Sequence, residues 1–161
     1  NKVIYAYNQP RMWSHYSDNH KGFCFEFNES RLFENLKNSF PNLFLKHEKV
    51  NYNTNFSRLE NPVEEKIPIE DFINKHYKSL FFQKNINWRD EHEYRFLIKN
   101  NDLVEFPLKG CLKALYVGAE FSNAYLPLLE FYEKKLEIPI YRMIPFDLNF
   151  EKEYYNNFAI V

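Results

Sequence analysis

Apolar and polar positions follow two different periods along this chain, and the two periods separate predicted strands from predicted helices. Apolar residues at every second position indicate a strand, and apolar residues three or four positions apart indicate the buried side of a helix. Apolar stretches bounded by turn residues predict strands at 3–7, 23–27, 46–52, 92–98, 103–106, 112–117, 138–144 and 154–161. Helical spacing and capping residues predict helices at 11–18, after Asn28 or Ser30, at 69–83, and from Asn123 to about Glu137.

The order of these elements predicts the fold class. Strands and helices mix without regular β-α-β alternation, and the polar stretch 53–68 has neither period and predicts a loop. We therefore expect an α+β fold, with a mixed or antiparallel sheet and three to four flanking helices. A length of 161 residues fits one domain, 1–161. The chain starts with Asn rather than Met and enters a predicted strand almost at once, so we expect this domain to lack its N-terminal portion.

Composition excludes several classes of function. The 21 basic and 22 acidic residues nearly cancel, so the chain has no excess of positive charge that would indicate binding to nucleic acid or to an acidic membrane surface. With 3 glycines, the chain has no Gly-rich loop to hold phosphates. Its 2 cysteines are far apart in sequence, as in a cytoplasmic protein with reduced thiols. No apolar run has the length of a membrane span.

The stretch "WRDEHEYRFLIK" carries the first candidate chemistry. Alternation along a predicted strand at 92–98 separates two faces: a core side of His92, Tyr94, Phe96 and Ile98, and a second side of Glu91, Glu93 and Arg95. Such a charged row is common on the solvent face of a strand, where surface ion pairs contribute little. The alternative is a Glu-x-Glu pair that stabilises the positive charge formed when a glycosidic bond breaks.

A second group of candidate functional residues lies in the stretch "MWSHYSDNHKGFCFEF". A helix that continued to His20 would place Trp13, Tyr16 and His20 on one stripe, with His15 on the neighbouring stripe. As structure, this is an aromatic stripe that packs on a sheet. As chemistry, Tyr16 and His15 could stack on a planar ring and hydrogen-bond its edge. A metal site from His15, His20 and Cys24 lacks a fourth ligand, so we predict no metal.

Together the two stretches resemble a bacterial family catalogued as a domain of unknown function. Its members pair a Met-Trp-x-His-Tyr-x-x-x-His-x-Gly block with a downstream Trp-x-x-Glu-x-Glu-x-Arg block. In this chain the matching residues are Met12, Trp13, His15, Tyr16, His20 and Gly22, followed by Trp88, Glu91, Glu93 and Arg95. The stretches "ALYVGAEFS" and "IPIYRMI" also resemble the closing strands of the family.

The family in turn resembles the ADP-ribosyltransferase fold distantly, and is similar to proteins of bacterial defence and toxin loci. This resemblance implies NAD as substrate, Glu93 as the catalytic glutamate and Glu91 as its partner. It also implies that His15 and Tyr16 line the nicotinamide side. The binding residues predicted with them are Trp13, His20, Trp88 and Arg95. The opening portion of the family, a Tyr-rich strand and an Asn-Asp-Pro turn, has no counterpart in this sequence.

Three classes of function therefore stay open at the level of sequence. The first is an NAD-consuming ADP-ribosyltransferase or NAD glycohydrolase, which predicts binding of a small nucleotide without metal. The second is a non-catalytic sensor or interaction module with a protein partner, because a fold does not imply an activity. The third is a hydrolase or nuclease that uses His15, His20 and Glu93 with a metal, which predicts that chelators abolish activity.

Overall fold

The larger of two compact units of the protein is built on a mixed four-stranded sheet. The structure is a computed structural model, and it describes residues 5–43, 45–55, 66–100, 103–108, 110–146 and 149–155. Contacts group the chain into two compact units. The first unit comprises Asn1–Pro41 with Glu105–Val161, and the second comprises Asn42–Val104. The single-domain assignment for 1–161 stays a prediction.

The bounds of the elements are as follows. The α-helices are α1 (Pro10–Tyr16), α2 (Glu29–Ser39), α3 (Ile69–Phe81) and α4 (Leu126–Leu136). The strands are β1 (Phe23–Phe27), β2 (Leu45–Lys49), β3 (Asn51–Asn53), β4 (Gln83–Asn85), β5 (Tyr94–Ile98), β6 (Leu112–Val117), β7 (Ile140–Phe146) and β8 (Asn149–Tyr154). Short 3₁₀ helices lie at Ala6–Asn8, Ile86–Glu91 and Asn123–Tyr125.

In the first unit, the four-stranded sheet has an apolar cluster on each face. Strand β6 pairs antiparallel with β1 and parallel with β7, which pairs antiparallel with β8. Alternation along β6 sends Leu115 and Val117 to one face, where they pack with Leu129 of α4. Tyr116 points to the other face and packs with Trp13 of α1. This mixed sheet with flanking helices confirms the predicted α+β class.

The second unit has a smaller buried core and two short two-stranded sheets. Strand β2 pairs antiparallel with β5, and β3 pairs parallel with β4. The buried apolar side chains described in this unit are Val50, Phe72 and Phe82. Phe72 belongs to α3, whose helical spacing was visible in the sequence.

Several element predictions hold, and others need correction. Strands at 23–27 and 112–117 are confirmed at the predicted bounds. The strand predicted at 46–52 is divided at Val50, because β2 pairs with β5 whereas β3 pairs with β4. Residues 103–106 form no strand. The strand predicted at 3–7 is wrong at its end, because residues 6–8 form a 3₁₀ helix. The predictions for 1–4, 56–65 and 156–161 lie outside the described residues.

The strand predicted at 92–98 begins two residues later, at Tyr94. His92 has a φ of 49° and ends the preceding 3₁₀ helix in the left-handed conformation, which a strand does not contain. His92 is therefore not on a core face. Tyr94 is 37% exposed and Phe96 is half-buried, so the assignment of this face to the core is also wrong.

Candidate functional site

Four charged side chains of the second unit meet in one cluster. We call Lys84, Glu91, Glu93 and Arg95 the carboxylate cluster. Lys84 comes from β4 and Arg95 from β5, and Glu91 ends the 3₁₀ helix between these strands. The backbone between Glu91 and Glu93 turns at His92, which is left-handed. Both carboxylates therefore contact the Lys84 ammonium, although Glu91 belongs to the 3₁₀ helix and Glu93 directly precedes β5.

The two carboxylates are paired differently. The Lys84 ammonium contacts a Glu91 oxygen and lies 2.7 Å from Oε1 of Glu93. Arg95 Nε donates to Oε2 of Glu93 at 2.7 Å, and another guanidinium nitrogen donates to the Phe81 carbonyl at 2.7 Å. The Glu91 side chain is 5% exposed, whereas that of Glu93 is 23% exposed. The Glu93 side chain is therefore the more exposed of the two, although its Oε1 atom is itself buried.

These contacts set the charge of Glu93. Burial opposes its ionisation, but hydrogen bonds from Arg95 and Lys84 outweigh burial and lower the pKa of the Glu93 carboxyl to about 2. The hydrogen bond to Glu93 also raises the pKa of Arg95. Glu93 is ionised at neutral pH and too weakly basic to serve as a general base there. It can act as a fixed negative charge or as a hydrogen-bond acceptor.

The backbone of Glu93 is held as firmly as its side chain. Its N–H donates to the Tyr52 hydroxyl at 2.9 Å, and its carbonyl accepts the N–H of Val50 at 2.9 Å. Beside this residue, the Trp88 ring lies 4.9 Å from the Lys84 ammonium and is 37% exposed. The cluster therefore presents a preoriented carboxylate and, nearby, an accessible aromatic ring.

The aromatic–histidine block lies in the first unit, around α1. Trp13 is 2% exposed, and its indole N–H donates to the Tyr7 carbonyl at 2.8 Å, so it packs within the core. Tyr16 is 60% exposed, and its ring centroid lies 6.4 Å from that of the exposed His15 in an edge-to-face arrangement. The predicted stripe does not extend to His20, because α1 ends at Tyr16.

A left-handed turn follows α1 and leads into the His-x-Gly part of the block. Asp18, Asn19 and His20 all have positive φ. The His20 carbonyl accepts the N–H of Glu120 at 3.0 Å, and an added Cβ at Gly118 would lie only 1.9 Å from that carbonyl oxygen. This close backbone approach requires glycine. Gly118 lies outside the block. Within the block, an added Cβ at Gly22 would lie 3.0 Å from the Cα of Ser17, so tight packing favours glycine there as well.

The two blocks belong to different units, because His15 and Tyr16 lie in the first and Glu91 and Glu93 in the second. The hypothesis that they form one site stays a prediction. Within the described ranges, no three His, Cys, Asp or Glu side chains come together as a metal-ligating group. A metal-dependent hydrolase or nuclease, the third class of function considered, therefore has no group of metal ligands in that part of the chain.

Sequence reasoning missed a polar cluster in the first unit. The buried Tyr116 hydroxyl donates to Glu26 at 2.6 Å, and the Lys113 ammonium lies 2.7 Å from the other Glu26 oxygen. Burial opposes the ionisation of Glu26, but these two hydrogen bonds lower the pKa of its carboxyl. Alternation along β1 places Glu26 opposite the phenylalanines, yet the β1–β6 register that supplies Tyr116 is not visible in the sequence.

Comparison with known proteins gives one family. Residues 12–96, more than half of the chain, match the family described as "Protein of unknown function (DUF2971)". The chain belongs to the DUF2971 family. The DUF2971 match begins at Met12 and ends at Phe96, so it includes both sequence blocks. No curated protein and no solved structure matches the chain. Among the described ranges, no helix has both the length and the apolar character that a membrane span requires.

Proposed function

We propose that this DUF2971 protein cleaves the N-glycosidic bond of NAD, as an ADP-ribosyltransferase or an NAD glycohydrolase. The observation that carries the proposal is the state of Glu93, which is ionised, held by two cations and still 23% exposed. Glu91, at 5% exposure, is the buried partner that helps to fix Lys84. The resemblance to proteins of defence and toxin loci suggests the biological setting.

The chemistry needs a fixed negative charge rather than a base. When the bond between the ribose and nicotinamide breaks, the bonding electron pair leaves with nicotinamide and positive charge develops at the anomeric carbon. A preoriented carboxylate stabilises that charge more than it stabilises the ground state. Water or a nucleophile on a macromolecule then bonds to the anomeric carbon and loses its proton. The low pKa of Glu93 fits this electrostatic role.

The other predicted site residues have binding roles in this proposal. Arg95 and Lys84 orient the Glu93 carboxylate, and the exposed Trp88 ring can stack on a planar base. The roles of Tyr16 and His15, whose side chains are exposed in the first unit, rest on the family resemblance alone.

A glutamate-to-glutamine pair of variants tests the proposal. Nicotinamide release from NAD, without added metal, should fall by about 10²–10³ in Glu93→Gln, as when one electrostatic group is removed. Glu48→Gln is the matched control, because Glu48 is also an ion-paired carboxylate on a neighbouring strand but pairs with the exposed Lys78. Equal activity in the two folded variants would refute the role of Glu93.

An interaction module is the second candidate. The observation in its favour is that Lys84 and Arg95 already neutralise the two carboxylates, as in a purely structural ion-pair network. In that case the protein binds no NAD in calorimetry, and Glu93→Gln changes stability alone.

A further inference from the structure

Glu93 lies at the junction between two elements of the second unit. It follows His92, whose left-handed backbone ends the 3₁₀ helix, and it precedes β5, which begins at Tyr94. At this junction the Glu93 N–H donates to a side chain, the hydroxyl of Tyr52, at 2.9 Å. A backbone N–H that leaves water needs an acceptor, so this hydroxyl takes the place that a carbonyl has in a strand ladder.

Three consecutive residues around the start of β3 hold the backbone near Glu93. The N–H of Val50 donates to the Glu93 carbonyl at 2.9 Å, and Tyr52, two residues later, accepts the Glu93 N–H at the same distance. Between them, the N–H of Asn51 donates at 2.8 Å to the carbonyl of Phe82, which ends α3. Both polar groups of the Glu93 backbone are therefore bound by one segment, and that segment is itself tied to a helix.

The same short sheet also holds the Glu93 side chain. Tyr52 of β3 is paired in register with Lys84 of β4, and side chains of registered residues point to the same face of a sheet. The Lys84 ammonium lies 2.7 Å from Oε1 of Glu93, and Arg95 Nε lies 2.7 Å from Oε2. One face of the β3–β4 pair therefore supplies a hydroxyl for the Glu93 backbone and an ammonium for its carboxylate.

We propose that Tyr52 is a positioning residue for the Glu93 carboxylate. This inference rests on the proposed function, in which that carboxylate stabilises positive charge at the anomeric carbon. Lys84 and Arg95 determine where the carboxylate oxygens point, whereas Tyr52 fixes the backbone from which the side chain starts. Tyr52 acts on the reaction through Glu93, and a misplacement of about 1 Å in a reacting site can lower a rate by about 10²-fold.

Steady-state kinetics of Tyr52→Phe test the proposal. This change keeps the ring and removes only the hydroxyl that accepts the Glu93 N–H. We expect kcat for nicotinamide release to fall by about 10–10²-fold with KM for NAD unchanged, because the lost orientation matters only as charge develops. Tyr77→Phe is the matched control, since the Tyr77 hydroxyl of the same unit donates to another glutamate, Glu48, at 3.1 Å. An unchanged kcat in folded Tyr52→Phe, or a rise in KM alone, would overturn the assignment.

Carbon-13 NMR of the Glu93 carboxyl tests the positioning without NAD. In the unmodified protein this carboxyl should titrate with a pKa of about 2. In Tyr52→Phe the pKa should rise toward 4.5, because burial then opposes ionisation with weaker help from Arg95 and Lys84, and Tyr77→Phe should leave it unchanged. If the unmodified protein releases no nicotinamide but the pKa rises in Tyr52→Phe, the proposed function fails while Tyr52 still orients Glu93. If the pKa stays at about 2 in that variant, Tyr52 does not position Glu93 and the inference is wrong.

Discussion

Replacement of Lys84 by methionine tests the electrostatics of the carboxylate cluster. The Lys84 ammonium contacts the Glu91 carboxylate, and the Glu91 side chain is 5% exposed. Methionine keeps the length and apolar stem of lysine but leaves this buried carboxylate without its ammonium partner. Removal of one partner of a buried ion pair typically costs about 3–5 kcal/mol. We expect Lys84→Met to lower the free energy of unfolding by that amount at pH 7.

Urea denaturation at pH 7 measures this free energy, and Lys78→Met is the control. Lys78 pairs with Glu48 on the surface of the same unit, so its loss should leave stability nearly unchanged. A second change, Glu91→Gln, should recover part of the stability in Lys84→Met, because it removes the uncompensated charge. The reasoning fails if Lys84→Met is as harmless as Lys78→Met, or if Glu91→Gln brings no recovery.

Three further predictions follow from single contacts. Gly118→Ala should prevent or severely weaken folding, seen by circular dichroism, because its Cβ would meet the backbone oxygen of His20; a normal melting curve would contradict this. Trp13→Ala should cost about 3–5 kcal/mol in urea denaturation, and Phe25→Ala clearly less because its ring is 40% exposed; equal costs would be inconsistent with these burials. The folded pKa of Glu93 lies below its ordinary value of 4.5, so its stabilisation is complete above pH 4.5 and is lost as the pH falls toward 2. The difference in stability between the unmodified protein and Glu93→Gln should therefore shrink by about 1–2 kcal/mol from pH 6 to pH 2.5, after allowance for solvent screening; a constant difference would argue against the low pKa.

Local pattern predicts those elements whose side chains obey one period from end to end. In β1, strict alternation of phenylalanine with Cys24 and Glu26 gives the strand bounds directly. The start of β5 could not be predicted in this way, because the left-handed φ of His92 is a property of the folded chain that its residue type does not announce. The split at Val50 depends on the pairing of two neighbouring strands with different partners, which is information from distant residues.

In the candidate site, too, the local sequence pattern predicts some contacts and misses others. The Glu-x-Glu-x-Arg spacing correctly draws attention to Glu93 and Arg95, which do pair in the structure. It does not reveal Lys84 as the shared cation, because that contact depends on how β4 and the following 3₁₀ helix fold back. For His20, helical spacing suggests a ligand position, whereas the observed turn uses its backbone carbonyl. Turn conformation, not side-chain pattern, decides that case.

The most direct test of the proposed activity is the release of nicotinamide from NAD by the full-length gene product without added metal. The account predicts measurable release that falls by about 10²–10³ in Glu93→Gln, while calorimetry shows that NAD still binds to the folded variant. No release, together with no binding of NAD by the unmodified protein, would contradict the account and leave the carboxylate cluster with a structural role only.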